Sequence, residues 1–225
     1  MVGGGGLISL PTMLLMGIPI HSAIAADKFG AAISTLLTSI ESLRKKEIKM
    51  SEITIILIIG FLSGLTGGFV ANELSAQFLN YVAISLMTFA FAMSFFTSNY
   101  FGHATKITNK KKVYPLLFSV GFYDGIFGPG SSTLSIYVLS NDRLTYFKAV
   151  TLTRISLLAW CSGALISYIS SGVMIWSIAF SIMAGAILGG FAGVYLSKRI
   201  NVKYIKHVLR LMTLIIIIQL ILKVV

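Results

Sequence analysis

Apolar positions along this chain come in long blocks, and polar positions gather between them. Blocks run at about 21–43, 53–72, 79–101, 113–140, 146–169, 174–197 and 205–224, with a shorter one at 3–19. Most are near 20 residues, the length a helix needs to cross about 30 Å of hydrocarbon. The two-residue alternation of membrane strands is missing, so the pattern predicts helices rather than a β-barrel. Block 113–140 differs from the rest because Gly128-Pro129-Gly130 interrupts it. Proline removes a backbone donor and glycine relaxes the helix, so two half-helices of about 15 and 10 residues are expected there. Such broken backbone survives at membrane depth only where protein buries it or where it lines a cavity.

The blocks also repeat, at an offset of 125 to 126 residues. Gly60, Gly64 and Gly68 fall on Gly185, Gly189 and Gly193, both triplets with the four-residue spacing that lines one helix face for close approach in lipid. Leu86-Met87-Thr88 falls on Leu211-Met212-Thr213, Gly4 on Gly130, Ala23 on Ala149 and Lys28 on Arg154. The near-constant offset implies a duplication, with residues 1–112 as the first membrane repeat and 113–225 as the second.

Charge gives the direction of each half. If block 113–140 crossed once, eight basic loop residues (Arg44, Lys45, Lys46, Lys49, Lys106 and Lys110 to Lys112) would lie on one face and seven (Arg143, Lys148, Lys198, Arg199, Lys203, Lys206 and Arg210) on the other. Basic residues of short loops collect in the cytoplasm, so that even split is disfavoured. If the block enters and returns to the same face, all 15 lie in the cytoplasm, and only Lys28, Arg154 and Lys223 lie elsewhere. The expected fold is therefore all-α and integral to the membrane. It comprises two inverted-topology repeats, each with a broken re-entrant helix hairpin and three transmembrane helices. The half-helix 113–127 then requires a counterpart of roughly 15 residues before Gly3, so the first repeat is expected to be incomplete at its start.

Composition agrees. Only 11% of the 225 residues are charged against 56% hydrophobic, and the mean hydropathy is +0.89. Soluble domains carry about twice that charged fraction. The net charge of +11 reads as loop marking for a cell-membrane, multi-pass protein with basic cytoplasmic loops, not as nucleic-acid binding. The single Cys161 excludes an intrachain disulfide and a cysteine metal cluster. His21, His103 and His207 have no ligand spacing, and P-loop, dinucleotide and metal patterns are missing, so no cofactor and no metal are expected.

Candidate chemistry lies with the ionisable residues inside spans, which are costly there and functional by default. Arg154 and Lys28 each sit about 12 Å into their spans at ~1.5 Å per residue. Inverted symmetry brings both toward the midplane, near the two glycine-rich breaks. Together they make a candidate cationic site for a small anion; alternatively each snorkels or pairs with a local acid such as Asp27, although adjacent helical residues point about 100° apart. After Gly128-Pro129-Gly130, the hydroxyls of Ser131, Ser132 and Thr133 begin a new half-helix, whose backbone N–H groups suit an oxyanion. Gly4, Gly5 and Gly6, with Ser9, are placed to do the same from the other side. Asp124 is a candidate coupling group, a partner for Arg154, or a cap on the broken backbone.

At these residues the chain resembles the sulfite exporter TauE/SafE family over essentially its whole length. Gly4-Gly5-Gly6 followed by Pro11, then Gly17-Ile18-Pro19-Ile20-His21-Ser22-Ala23, resembles the opening of the first half. Gly121-Phe122-Tyr123-Asp124-Gly125 through Gly128-Pro129-Gly130 is the most specific stretch, and Arg154 stands where a basic residue is expected. Ser131-Ser132 departs from a position where another glycine is expected. The resemblance implies transport of small anions, often sulfur oxyanions or organosulfonates, across the cytoplasmic membrane. The expected partners are thus a small anionic substrate and the lipid bilayer, without nucleic acid and with a homo-oligomer left open.

The reading is a secondary transporter working by alternating access, not an enzyme. An anion channel is the alternative. An intramembrane hydrolase is disfavoured, because Asp124 lacks a second intramembrane aspartate and Ser131 lacks a histidine base within reach.

Overall fold

The computed structural model describes residues 6–43, 50–82, 85, 88 and 107–197. The block 205–224, most of 79–101, Gly4 and Gly5, the basic run 44–49, and His103 and His207 lie outside the described residues. Seven helices are bounded among those described: α1 (Gly6–Leu15), α2 (Ile20–Leu43), α3 (Met50–Glu73), α4 (Lys110–Ile126), α5 (Ser131–Asn141), α6 (Tyr146–Ser170) and α7 (Trp176–Ser197). Further helical turns run over 76–82, and no strand occurs among the described residues. The predicted interruption of block 113–140 is present: α4 and α5 are separate helices on either side of Phe127–Gly130.

Polarity is arranged inside out. Buried positions include Lys28, Asp124, Ser131, Ser135, Lys148 and Thr153, while Leu36, Ile58, Leu62, Phe69, Ile166 and Leu188 face outward. Water would penalise so broad an apolar exterior, whereas a bilayer accepts it. Helices α3 and α6 are each long and apolar enough to span that bilayer.

Helix α3 packs on α6 and α4, α2 packs on α6 and α7, and the α4–α5 pair leans on α6. The α3–α6 contact is made by glycine. A Cβ on Gly64 would collide with the Trp160 backbone, and one on Gly163 would collide with the Phe61 carbonyl. Gly60 and Gly68 face Ala159 and Ala164 along the same seam. With no apolar driving force between helices in lipid, such backbone proximity lets dispersion contacts hold them together. Glu52 lies beside Lys148, Gly60 beside Ala159 and Gly68 beside Ser167, so α3 and α6 run parallel.

Gly185 and Gly189 have nothing within 4 Å of a would-be Cβ among the described residues. Toward α2, α7 presents Ile182, Ala186 and Gly190, four residues apart. Ile182 meets Gly30, the Ala186 carbonyl accepts from Ser34 Oγ at 3.2 Å, and Gly190 lies against Ser34. This register makes α2 and α7 parallel. It also places Gly190 on Ser34 as Gly64 sits on Trp160, a spacing of 126 on both sides.

Ile20 and Tyr146, which open α2 and α6, are 126 residues apart.

Candidate functional site

The broken segment is held at both its base and its tip. At the base, the Asp142 carboxylate accepts from Thr108 N at 2.7 Å, Thr108 Oγ1 at 2.6 Å and Asn109 N at 3.0 Å. The start of α4 and the end of α5 therefore meet, and the segment is a hairpin that returns to where it began. The same end holds a second tie. Glu52, in the first turn of α3, accepts Ile107 N at 3.3 Å and pairs with Lys148, in the first turn of α6, at 2.8 Å.

At the tip, α4 stops because Gly128 and Gly130 take positive φ values of 107° and 90°, a region that disfavours side chains, and Pro129 has no N–H to continue the ladder. The carbonyls released at the end of α4 are buried and must be satisfied. Tyr168 Oη, from α6, donates to Gly125 O at 3.0 Å and Ile126 O at 3.3 Å, and Tyr123 Oη donates to Pro129 O. Helix α5 opens with Ser131 N donating to Gly128 O and Thr133 N to Gly130 O. The backbone groups expected to hold an oxyanion are thus partly engaged within the turn itself.

Against this tip lies a charge. Lys28, at the inner part of α2, is 1% exposed, and its Nζ lies 2.7 Å from Asp124 Oδ2, also 1% exposed. Asp124 Oδ1 accepts Ser131 Oγ at 2.6 Å, and Cys161 Sγ of α6 lies 3.8 Å from Oδ2. The lysine reaches the turn because Gly128 has no side chain: a Cβ there would overlap Nζ. One carboxylate therefore collects a cation from the first half, a hydroxyl from the start of α5 and a thiol from α6.

Other sequence candidates fall around this centre. Gly128, Pro129 and Gly130 form the tip, and Ser132 is buried beside Ser131. Asp27 is not the partner of Lys28; it accepts from Ser9 Oγ of α1, and its carboxylate lies 2.9 Å from where a Cβ on Gly6 would stand. Arg154 is half-buried on α6, seven residues and so about 10 Å along the axis from Cys161. His21 sits at an interface, its Nε2 3.1 Å from the carbonyls of Ala71 and Leu74 at the end of α3. Sequence reasoning missed three positions. Asp142 carries an Asn-Asp-Arg turn signal that was available; Tyr168 carries none; and Lys148, counted as a loop charge, is buried against Glu52.

Comparison with known proteins gives the family. The family model for the sulfite exporter TauE/SafE matches residues 1–220. A "probable membrane transporter protein" of Haemophilus influenzae is 28% identical over 198 residues, covering 85% of this chain and 76% of its own. The "probable membrane transporter protein YfcA" of Escherichia coli K12 is 26% identical over 200 residues, covering 85% and 72%. The "probable membrane transporter protein ORF9" of a Sinorhizobium species is 24% identical over 216 residues, covering 92% and 80%. No solved structure shows significant similarity. With the match running nearly end to end across the hairpin and the helices around it, the chain is a membrane transporter that belongs to the sulfite exporter TauE/SafE family.

Proposed function

We propose that this chain is a secondary carrier for small sulfur-containing anions, sulfur oxyanions or organosulfonates, working by alternating access around Lys28 and the tip of the α4–α5 hairpin. The observation that carries the reading is the lysine. A cation 1% exposed, at the break of a hairpin among apolar helices, is expensive to maintain and is kept for an ionic substrate. Ser131 Oγ donates to the same Asp124 carboxylate that pairs with Lys28, Ser132 follows it in the buried start of α5, and Arg154, the repeat mate of Lys28, is assigned as a second cation on α6. The glycines Gly4, Gly5 and Gly6 are assigned to the matching break of the first half. Asp124 is assigned to coupling. The family description names sulfite export, and sulfite is an anion whose oxygens a cation and hydroxyl donors can hold.

The parallel registers of α3 with α6 and of α2 with α7, with a short turn at 171–175 between α6 and α7, support repeats of opposed direction. Opposed repeats can rock about a shared central site and so expose it to each side in turn. A carrier fits better than an anion channel, since a conducting pore would keep its cation in water whereas Lys28 and Asp124 are closed off.

Flux of sulfite, sulfate and methanesulfonate into proteoliposomes tests the assignment. At least one should show saturable uptake, reduced tenfold or more in Lys28→Met and sharply in Arg154→Ala. Undiminished flux of every transported anion in Lys28→Met would remove Lys28 from the site.

A further inference from the structure

Resting on that functional reading, we infer that the Asp124 carboxylate is an internal stand-in for the transported anion: it occupies the anion's place in the empty carrier and must give way when substrate binds.

The geometry is specific. A carboxylate and a sulfur oxyanion both present negative oxygens a little over 2 Å apart. Asp124 offers one to a cation, Lys28 Nζ at 2.7 Å, and the other to a hydroxyl at a helix start, Ser131 Oγ at 2.6 Å. These are the groups an incoming sulfonate or sulfite would use, and each is already taken by Asp124. Gly128 lets Lys28 Nζ come against the turn, and because Lys28 Nζ and Ser131 Oγ both engage Asp124, a substrate using those groups contends with the carboxylate for them. Lys28 stays paired in either case. Its two partners come from different places: Asp124 ends the first arm of the hairpin, while the substrate comes from solution.

The consequence is a carrier whose empty site is electrically satisfied. A buried unpaired lysine would carry a large desolvation penalty, which the aspartate offsets between cycles. Substrate therefore displaces a built-in competitor, and this weakens apparent affinity. The returning carboxylate in turn helps to expel the substrate, which speeds release. Asp124 is on this account a positioning and release residue, distinct from a mere hairpin brace.

Asp124→Asn tests this at constant pH, because the amide keeps an oxygen for Ser131 while losing the charge that competes. In proteoliposomes, KM for whichever of sulfite, sulfate or methanesulfonate the wild type carries should fall about tenfold or more. Maximum rate should fall with it, and Asp124→Glu should restore both toward wild type. An unchanged or raised KM in folded Asp124→Asn overturns the stand-in role while leaving the carrier assignment intact; a wild type that carries none of sulfite, sulfate and methanesulfonate overturns both. Should Asp124→Asn not fold, infrared difference spectra of the wild type with and without sulfite or methanesulfonate serve instead. A carboxylate stretching band should shift on anion binding, and its position should move in Asp124→Glu. No carboxylate change on binding overturns the inference.

Discussion

Lys28, Asp124 and Ser131 stand out from sequence one at a time, because an ionisable or hydroxyl group in an apolar block needs a reason to be there. Their convergence does not. Lys28 and Asp124 are 96 residues apart, and a single sequence offers only near neighbours, which made Asp27 look like the local partner. The helical turn between adjacent residues argued against that pairing, and Asp27 indeed points to Ser9 instead. Lys148 was misplaced for the opposite reason. It stands in the first turn of its helix like an ordinary loop charge, and only the parallel approach of α3 brings Glu52 alongside and buries both. Removing one member of a buried pair leaves an uncompensated charge, at a cost of about 3–5 kcal/mol. Lys148→Met should therefore lower the thermal unfolding midpoint in detergent markedly. Glu52→Gln combined with Lys148→Met should recover much of the loss. A single variant as stable as wild type would show that the pair contributes little.

At the scale of elements, helix existence and the break at Gly128-Pro129-Gly130 were legible, since length, apolarity and proline chemistry act locally. The register of helix against helix was not. Glycine spacing picks out Gly185 and Gly189, whereas the face that α7 turns to α2 is Ile182, Ala186 and Gly190, one residue round the helix. What closes the hairpin was also invisible, because a carboxylate at position 142 finding the amides of 108 and 109 is a tertiary event. That closure has a direct consequence for topology. Single cysteines at Asn109 and Asn141, in a background with Cys161 replaced by serine, should react with a membrane-impermeant thiol reagent from the same side. Labelling from opposite sides would mean that the segment crosses, which the three hydrogen bonds of Asp142 forbid.

For the whole molecule, charge counting predicted a segment that returns to its own face, and the ties at Asp142 and at Glu52–Lys148 put the starts of α3, α4 and α6 and the end of α5 at one end of the bundle. Family membership was legible in the stretch from Gly121 to Gly130, and the match over residues 1–220 extends it to the chain. The transport cycle is the part that neither sequence nor a single conformation contains, since it depends on a second arrangement of the same helices. Counterflow tests it most directly. Proteoliposomes loaded with unlabelled substrate anion should take up labelled anion faster than empty vesicles do, transiently above equilibrium, and Lys28→Met should abolish the stimulation. Uptake that is indifferent to internal anion and rises linearly with concentration would contradict a carrier and point to a pore.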